Sequence, residues 1–222
     1  MFKKVLVAED FDTMNVSVSQ VLEELAVPEI IHANACDDAF LKIKRAIHDL
    51  RPYDLLISEL SFLNDESKCT ITSGEELIAA VKKLQPDIKV IAFAVEDKSF
   101  KIRSLFENSG ISAYVYRGRN SMSQLKNALS TIFASEERYL SPELDHIRKD
   151  NSVTDIDSYD VQLLQLLAKG LKQEEIAWQL RELGITPNST SAVEKRINRL
   201  KIYFMSSNTV QLVVTAKDVG IL

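Results

Sequence analysis

Five short apolar runs, each followed by an amphipathic stretch, constrain the fold of this chain more than any other feature of its sequence. Lys4–Ala8 (KVLVA), Ile30–Ala33, Tyr53–Ser58, Ile88–Ala94 and Ile111–Tyr116 are apolar along most of their length. A strand with one wet face would alternate apolar and polar residues. These runs do not alternate, so both of their faces must be covered. Between them the spacing predicts helices. Val16, Val18, Val21, Leu22 and Leu25 form one stripe, closed by Pro28, and Asp37–Leu50 places Ala39, Phe40, Ile43, Ala46 and Ile47 on one face. Further helices are predicted over Glu75–Leu84, Lys98–Asn108 and Met122–Phe133. Strand and helix in strict alternation describe an α/β domain over residues 1–133, a doubly wound five-stranded parallel sheet.

Residues 134–158 are charged and poor in apolar side chains, and Ser141-Pro142 breaks any helix there. They read as a linker. Residues 159–222 read as a separate all-α domain. Its first helix runs from Tyr159 to a stop at Gly170, and a second over Gln173–Leu183 turns Ile176, Ala177, Leu180 and Leu183 inward. Trp178 is expected to pack half-buried rather than to serve as a stacking platform. After the turn GITPNS, a third helix from about Thr190 to Phe204 buries Val193, Ile197, Leu200 and Phe204. Its other side shows Glu194, Lys195, Asn198, Arg199 and Lys201. Two helices joined by a turn, the second apolar on one side and basic on the other, match a helix-turn-helix with its recognition helix. The competing reading is the solvated face of an ordinary helical bundle.

Charge and cysteine content narrow the classes. The net charge of −5 lies entirely in residues 1–150, because residues 151–222 hold eight basic and eight acidic side chains. Within 184–204, however, Lys195, Arg196, Arg199 and Lys201 face Glu194 alone, so basic charge is clustered where nucleic acid would be read. The apolar run after MFKK is too short for a signal-peptide core, and no run approaches a membrane span. Two cysteines, Cys36 and Cys69, lack metal-ligand spacing and fit a reducing cytoplasm, as plain thiols or as a redox switch. His32, His48 and His146 are scattered. No nucleophile–base pair or Gly-rich phosphate loop is present, so an enzyme is not expected.

Ligands of doubly wound sheets sit at the carboxyl ends of the strands. Here those ends deliver Glu9 and Asp10, Glu59, Ala94 and Arg117. Three carboxylates and a cation converging there suit a Mg²⁺ ion; equally, such acids face solvent or cap the next helix.

The motifs VLVAED, YDLLISEL, SGEELI, KVIAFAV and GISAYVYR resemble the receiver domain of response regulators, a flavodoxin-like fold, over roughly residues 1–130. The segments LLQLLAKGLKQEEIA, SAVEKRINRLK and NTVQLVVTAKDVGIL are similar to the LuxR-type helix-turn-helix, which makes the whole chain resemble a NarL/LuxR-type regulator. In receivers the acid pair and an acceptor Asp hold Mg²⁺. A Thr or Ser ending the fourth strand follows the phosphoryl group, and a Lys ending the fifth neutralises it. Carried over position by position, Glu9 and Asp10 keep the acid pair, Glu59 replaces the acceptor, Ala94 the Thr/Ser and Arg117 the Lys. Tyr114 stands at the switch aromatic. The resemblance implies Mg²⁺ at Glu9, Asp10 and Glu59, but Glu is one methylene too long for the acceptor's geometry. Arg117 is able to clasp Glu59 bidentately, which Lys is not. The stretch from Glu59 to Gly74 exceeds the family's usual interval, and residues 60–73 read as a lid, a partner-binding loop or a surface insertion.

For the second domain the resemblance implies base or phosphate contacts from Thr190, Ser191, Glu194, Lys195, Arg196, Asn198, Arg199 and Lys201, and dimerisation through Val210, Val213, Val214 and Lys217, with Ala216 and Val219 on the same helix. The implied protein is a cytoplasmic, homodimeric, DNA-binding transcription regulator. Its state is set without phosphoryl transfer, or by a sensor kinase or another regulatory protein. The alternatives are a phosphorylation-responsive regulator using a residual acid such as Asp10, and a protein-interaction adaptor that binds no DNA.

Overall fold

The computed structural model describes all residues except 63–68, 146, 148–155 and 219, so His146, Val219, part of the 60–73 loop and part of the expected linker lie outside the described residues. The chain divides into two compact units, Met1–Lys149 and Asp150–Leu222.

In the first unit the elements run β1 (Lys4–Ala8), α1 (Asp12–Glu24), β2 (Glu29–Ala33), α2 (Cys36–His48), β3 (Leu55–Ser58), α3 (Gly74–Leu84), β4 (Lys89–Ala94), α4 (Ser99–Glu107), β5 (Ala113–Tyr116), α5 (Ser121–Ala134) and β6 (Tyr139–Leu140). The sheet is parallel throughout, in the order β2-β1-β3-β4-β5-β6. Strand alternation sorts the residues into two cores. Leu6, Ala8, Leu56, Val90, Ala92 and Tyr114 meet α2, α3 and α4 through Ile43, Leu77 and Ile102. Val5, Val7, Leu55, Ile57, Phe93 and Val115 meet α1 and α5 through Val18, Leu22, Leu125 and Leu129. Each such fully buried aliphatic side chain contributes roughly 2 kcal/mol. Val16, expected in the stripe of α1, is instead 68% exposed.

Two expectations change here. The sheet has six strands, not five, because Tyr139 and Leu140 pair with Ala113 and Tyr114. Residues 139–145 and Ile147 are therefore part of the first unit rather than linker. Leu140, Leu144 and Ile147 are buried in its core, and Arg103 donates to the Ile147 carbonyl at 2.8 Å.

The second unit holds α6 (Ser158–Ala168), α7 (Gln173–Glu182), α8 (Thr190–Tyr203) and α9 (Thr209–Asp218). Asp157 and Asp160 form a reciprocal capping box at the start of α6, and Gly170 follows its end at φ +82°, a conformation glycine adopts without penalty. Ser189 caps α8, its hydroxyl accepting from the Ala192 N–H at 3.2 Å. Leu163, Leu164, Ile176, Leu180, Val193, Ile197, Leu200 and Leu212 are buried in this unit. Phe204 is only half-buried, and Leu183 is exposed. Trp178 is 61% exposed rather than half-buried, because the inward stripe of α7 runs through Ile176, Ala177 and Leu180 and leaves it on the far side.

Candidate functional site

The chain leaves β1 and turns to β2 on one side and β3 on the other, so the crevice lies at their carboxyl ends. Glu9, Glu59 and Arg117 each sit one residue beyond a strand and are fixed by a backbone bond to its neighbour. Glu9 N–H donates to Ala33 O at 3.0 Å, Glu59 to Ala8 O at 2.9 Å and Arg117 to Ala94 O at 2.8 Å. Gly74 closes the base of the pocket. A Cβ there would lie 1.8 Å from the Glu59 carbonyl oxygen, so no other residue fits without moving the backbone.

Arg117 joins the two buried glutamates. Its Nη1 donates to Glu9 Oε2 at 3.0 Å and also to Glu59 Oε2. The bidentate clasp expected from the sequence is replaced by one nitrogen shared between two carboxylates. The remaining Glu59 oxygen accepts from the backbone N–H of Leu60 at 2.7 Å and of Ser61 at 3.3 Å, and Glu9 Oε1 accepts from Phe11 N–H at 3.1 Å. The Phe11 ring lies 5.6 Å from the guanidinium carbon, a cation–π contact on the pocket's outer side. Asn15 donates to the Glu9 carbonyl at 2.9 Å. Phe11, Asn15 and the two loop N–H groups were not singled out from the sequence; only the position of Phe11 directly after the acid pair hints at its part.

Glu9 and Glu59 are 2% and 4% exposed. Burial is the main influence on both and raises their pKa values, Glu9 to about 7, while Arg117 and backbone N–H bonds pull the other way. One guanidinium does not neutralise two buried carboxylates with Asp10 beside them, so the pair titrates as a unit. The sign of the linkage follows. Between pH about 4.5 and 7 the folded state binds more protons at the Glu9–Glu59 pair than the unfolded chain, so stability is lost as pH rises through that window. Calorimetry of the full chain is expected to show the first unit melting lower at pH 7.5 than at pH about 5. Glu9→Gln should flatten this slope; an unchanged slope would mean that Glu9 is not the group responsible.

In this arrangement Glu9, Asp10 and Glu59 do not fit the Mg²⁺ ion expected from the sequence. Among the described residues no group of three or more acidic, His or Cys side chains is arranged to hold a metal. Arg117 stands between Glu9 and Glu59, and N–H donors occupy their other oxygens. At Ala94 a buried methyl group ends β4. Tyr114 is wholly buried, and its hydroxyl donates to the Glu96 carbonyl at 2.7 Å, which ties β5 to the segment after β4.

In the second unit α8 exposes Thr190, Ser191, Glu194, Lys195 and Asn198, with Arg199 and Lys201 half-buried at the margins. Arg196 departs from the expected DNA-facing set. Its Nε and Nη2 grip the two oxygens of Asp160 at 2.5 and 2.8 Å, and Nη2 also holds Asp157 at 2.5 Å. Asp160 is 1% exposed. Arg196 therefore bolts α8 to the capping box of α6. Its spacing gives the reason: it lies three residues after Val193 and four before Leu200, on the flank of the buried stripe. A concavity of about 440 Å³ beside it is lined by Tyr159, Thr186, Pro187, Lys195 and Arg199. On α9, Leu212 and Ala216 face inward, Val210 and Val214 are exposed at 76% and 52%, Lys217 is exposed, and Val213 is half-buried. Ala216 thus serves the domain's own core rather than a dimer surface.

No protein-family model matches the chain, and no curated protein is significantly similar in sequence. Solved structures match it in fold. The response regulator RcsB of Salmonella typhimurium aligns with 97% of this chain and 99% of its own, with a TM-score of 0.66 at 16% identity. Two RcsB dimers bound to two parallel DNAs give 0.63 at 16% identity, covering 97% and 98%. RcsB from Salmonella enterica serovar Typhimurium bound to promoter rprA in the presence of the phosphomimetic BeF3- gives 0.60 at 17%, covering 98% and 99%. This is the receiver plus helix-turn-helix fold. The N-terminal unit has a receiver's parallel sheet with flanking helices, and the C-terminal unit is helical, as in that two-domain architecture. Among the described residues no helix is long and apolar enough to cross a membrane.

Proposed function

We propose that the chain is a DNA-binding transcription regulator, acting as a homodimer, whose receiver-like pocket is held by Glu9, Glu59 and Arg117 rather than switched by phosphoryl transfer. The carrying observation is the outward face of α8, the second helix of the helix-turn-helix. There Lys195, Asn198 and Arg199 stand free of intramolecular side-chain bonds among the described contacts, while Arg196 is tied down. Asn and Arg suit base edges, and Lys suits phosphates. Glu194 on the same face suits a cytosine amino group. The exposed Val210 and Val214 of α9 supply a self-complementary stripe. RcsB, of the same fold, has been solved as dimers on DNA, which supports this reading.

The pocket supports the second half. Glu59 has both oxygens engaged, and the cation that would neutralise an incoming phosphoryl group already serves two carboxylates. In this reading a sensor kinase finds no acceptor, and no catalysis is assigned to the chain.

Binding to duplex DNA is expected to weaken linearly on a log–log plot against salt. Lys195→Ala should lower that slope by about 1, and Asn198→Ala should relax discrimination at one base position by roughly 1–3 kcal/mol. A slope near zero for the wild-type protein would favour a protein-interaction adaptor instead.

A further inference from the structure

The chain's two cysteines are 33 residues apart in sequence, yet the fold brings their neighbourhoods together. Cys36 opens α2 and is 1% exposed; Cys69 is half-buried. Asp37, the residue after Cys36, accepts the backbone N–H of Thr70 at 2.9 Å and of Ile71 at 3.1 Å. The residue following one cysteine thus grips the two residues following the other. Ile71 joins the same buried cluster as Cys36, so this attachment is packed as well as hydrogen-bonded. Burial first, then the nearby Asp37, Cys69, Glu76 and Asp10, push the Cys36 thiol up to about 12. Cys36 follows the end of β2, where the Ala33 carbonyl accepts from Glu9 N–H at 3.0 Å, so the start of α2 lies beside the acidic pocket.

We propose that Cys36 and Cys69 form a reversible disulfide under a peroxide-class oxidant, fastening the Cys69–Ile71 stretch to the start of α2 at the pocket's edge. Cys69 is the sulfur that oxidant reaches first, being the less buried of the two. Its thiolate attacks one peroxide oxygen; the O–O bond breaks, hydroxide leaves, and Cys69 becomes a sulfenic acid. The Cys36 sulfur then displaces the hydroxyl group from the Cys69 sulfur, and the Cys36 thiol proton leaves with it as water. Two thiols and one hydrogen peroxide give one disulfide and two waters. Because Cys36 is held as the thiol, the second step is the slower one and quickens as pH rises. A dithiol reductant reverses the bond.

The test treats the full chain with a slight excess of hydrogen peroxide, blocks remaining thiols by alkylation, and reads intact mass and linked peptides. The expected product is a monomer lighter by about 2 Da that takes up no alkylating agent and yields a peptide pair joining residues 36 and 69. Dithiothreitol should restore both thiols. Formation should be at least about tenfold faster in the folded chain than in urea, because folding holds the two sulfurs together. Cys69→Ser and Cys36→Ala should each abolish the product, though the wild-type rates decide the matter without them. Alkylation at both cysteines after oxidation, sulfinic acid at Cys69 alone, disulfides only between chains, or equal rates in urea would overturn the proposal.

Discussion

Replacing Arg117 with alanine is expected to destabilise the first unit by about 3–5 kcal/mol at pH 8, the usual cost of stranding a buried charge. The change removes the only side-chain cation described in contact with Glu9 and Glu59, both nearly inaccessible to water. What remains to them are backbone donors, one N–H to Glu9 from Phe11 and two to Glu59 from Leu60 and Ser61. The cost should shrink at pH 5, because both carboxylates have raised pKa values and then escape the penalty by taking up protons. Pairing Arg117→Ala with Glu59→Gln should recover much of the loss, and a double-mutant cycle read by calorimetry gives the coupling. A single substitution that costs under about 0.5 kcal/mol would place Arg117 among ordinary surface pairs, which contribute little.

Arg196→Ala is expected to cost the second unit a comparable amount, roughly 3 kcal/mol, since it leaves the Asp160 carboxylate buried with one backbone donor, Asp157 N–H at 3.2 Å. Trp178, the chain's single tryptophan, lies in this unit and reports its unfolding by fluorescence. Arg196→Lys should recover little, because an ammonium does not reproduce the two-nitrogen grip on Asp160. Below the unfolding transition, the salt slope of DNA binding should stay at the wild-type value. Normal stability with a slope lowered by about 1 would instead make Arg196 a phosphate contact.

The difference between Arg196 and Lys195 shows how far the sequence reaches. Both are basic residues on the same amphipathic helix, and composition alone assigns both to DNA. Their positions relative to Val193, Ile197 and Leu200 separate them, but the partner of Arg196 lies 36 residues away, and no local pattern names it. The strands that build the pocket were legible because they are buried on both faces and so carry continuous apolar runs. Glu9, Glu59, Ala94 and Arg117 were legible for the same reason, as the residues at the ends of those runs. The sharing of one guanidinium nitrogen between two carboxylates was not, because side-chain geometry depends on the backbone donors at Leu60 and Ser61. Residues 139–140 carry no such signal, since a strand of two residues has no period to detect. For Trp178 position outweighs hydrophobicity, since it lies one residue after Ala177, off the buried stripe of α7.

The proposed pocket is set by fixed charges instead of a transferred phosphoryl group. Incubating the full chain with acetyl phosphate and Mg²⁺ and reading intact mass tests it most directly. The mass is expected to stay unchanged, because both Glu59 oxygens accept hydrogen bonds and Arg117 is already engaged. A stable adduct of about 80 Da, the mass of one added phosphoryl group, would contradict it.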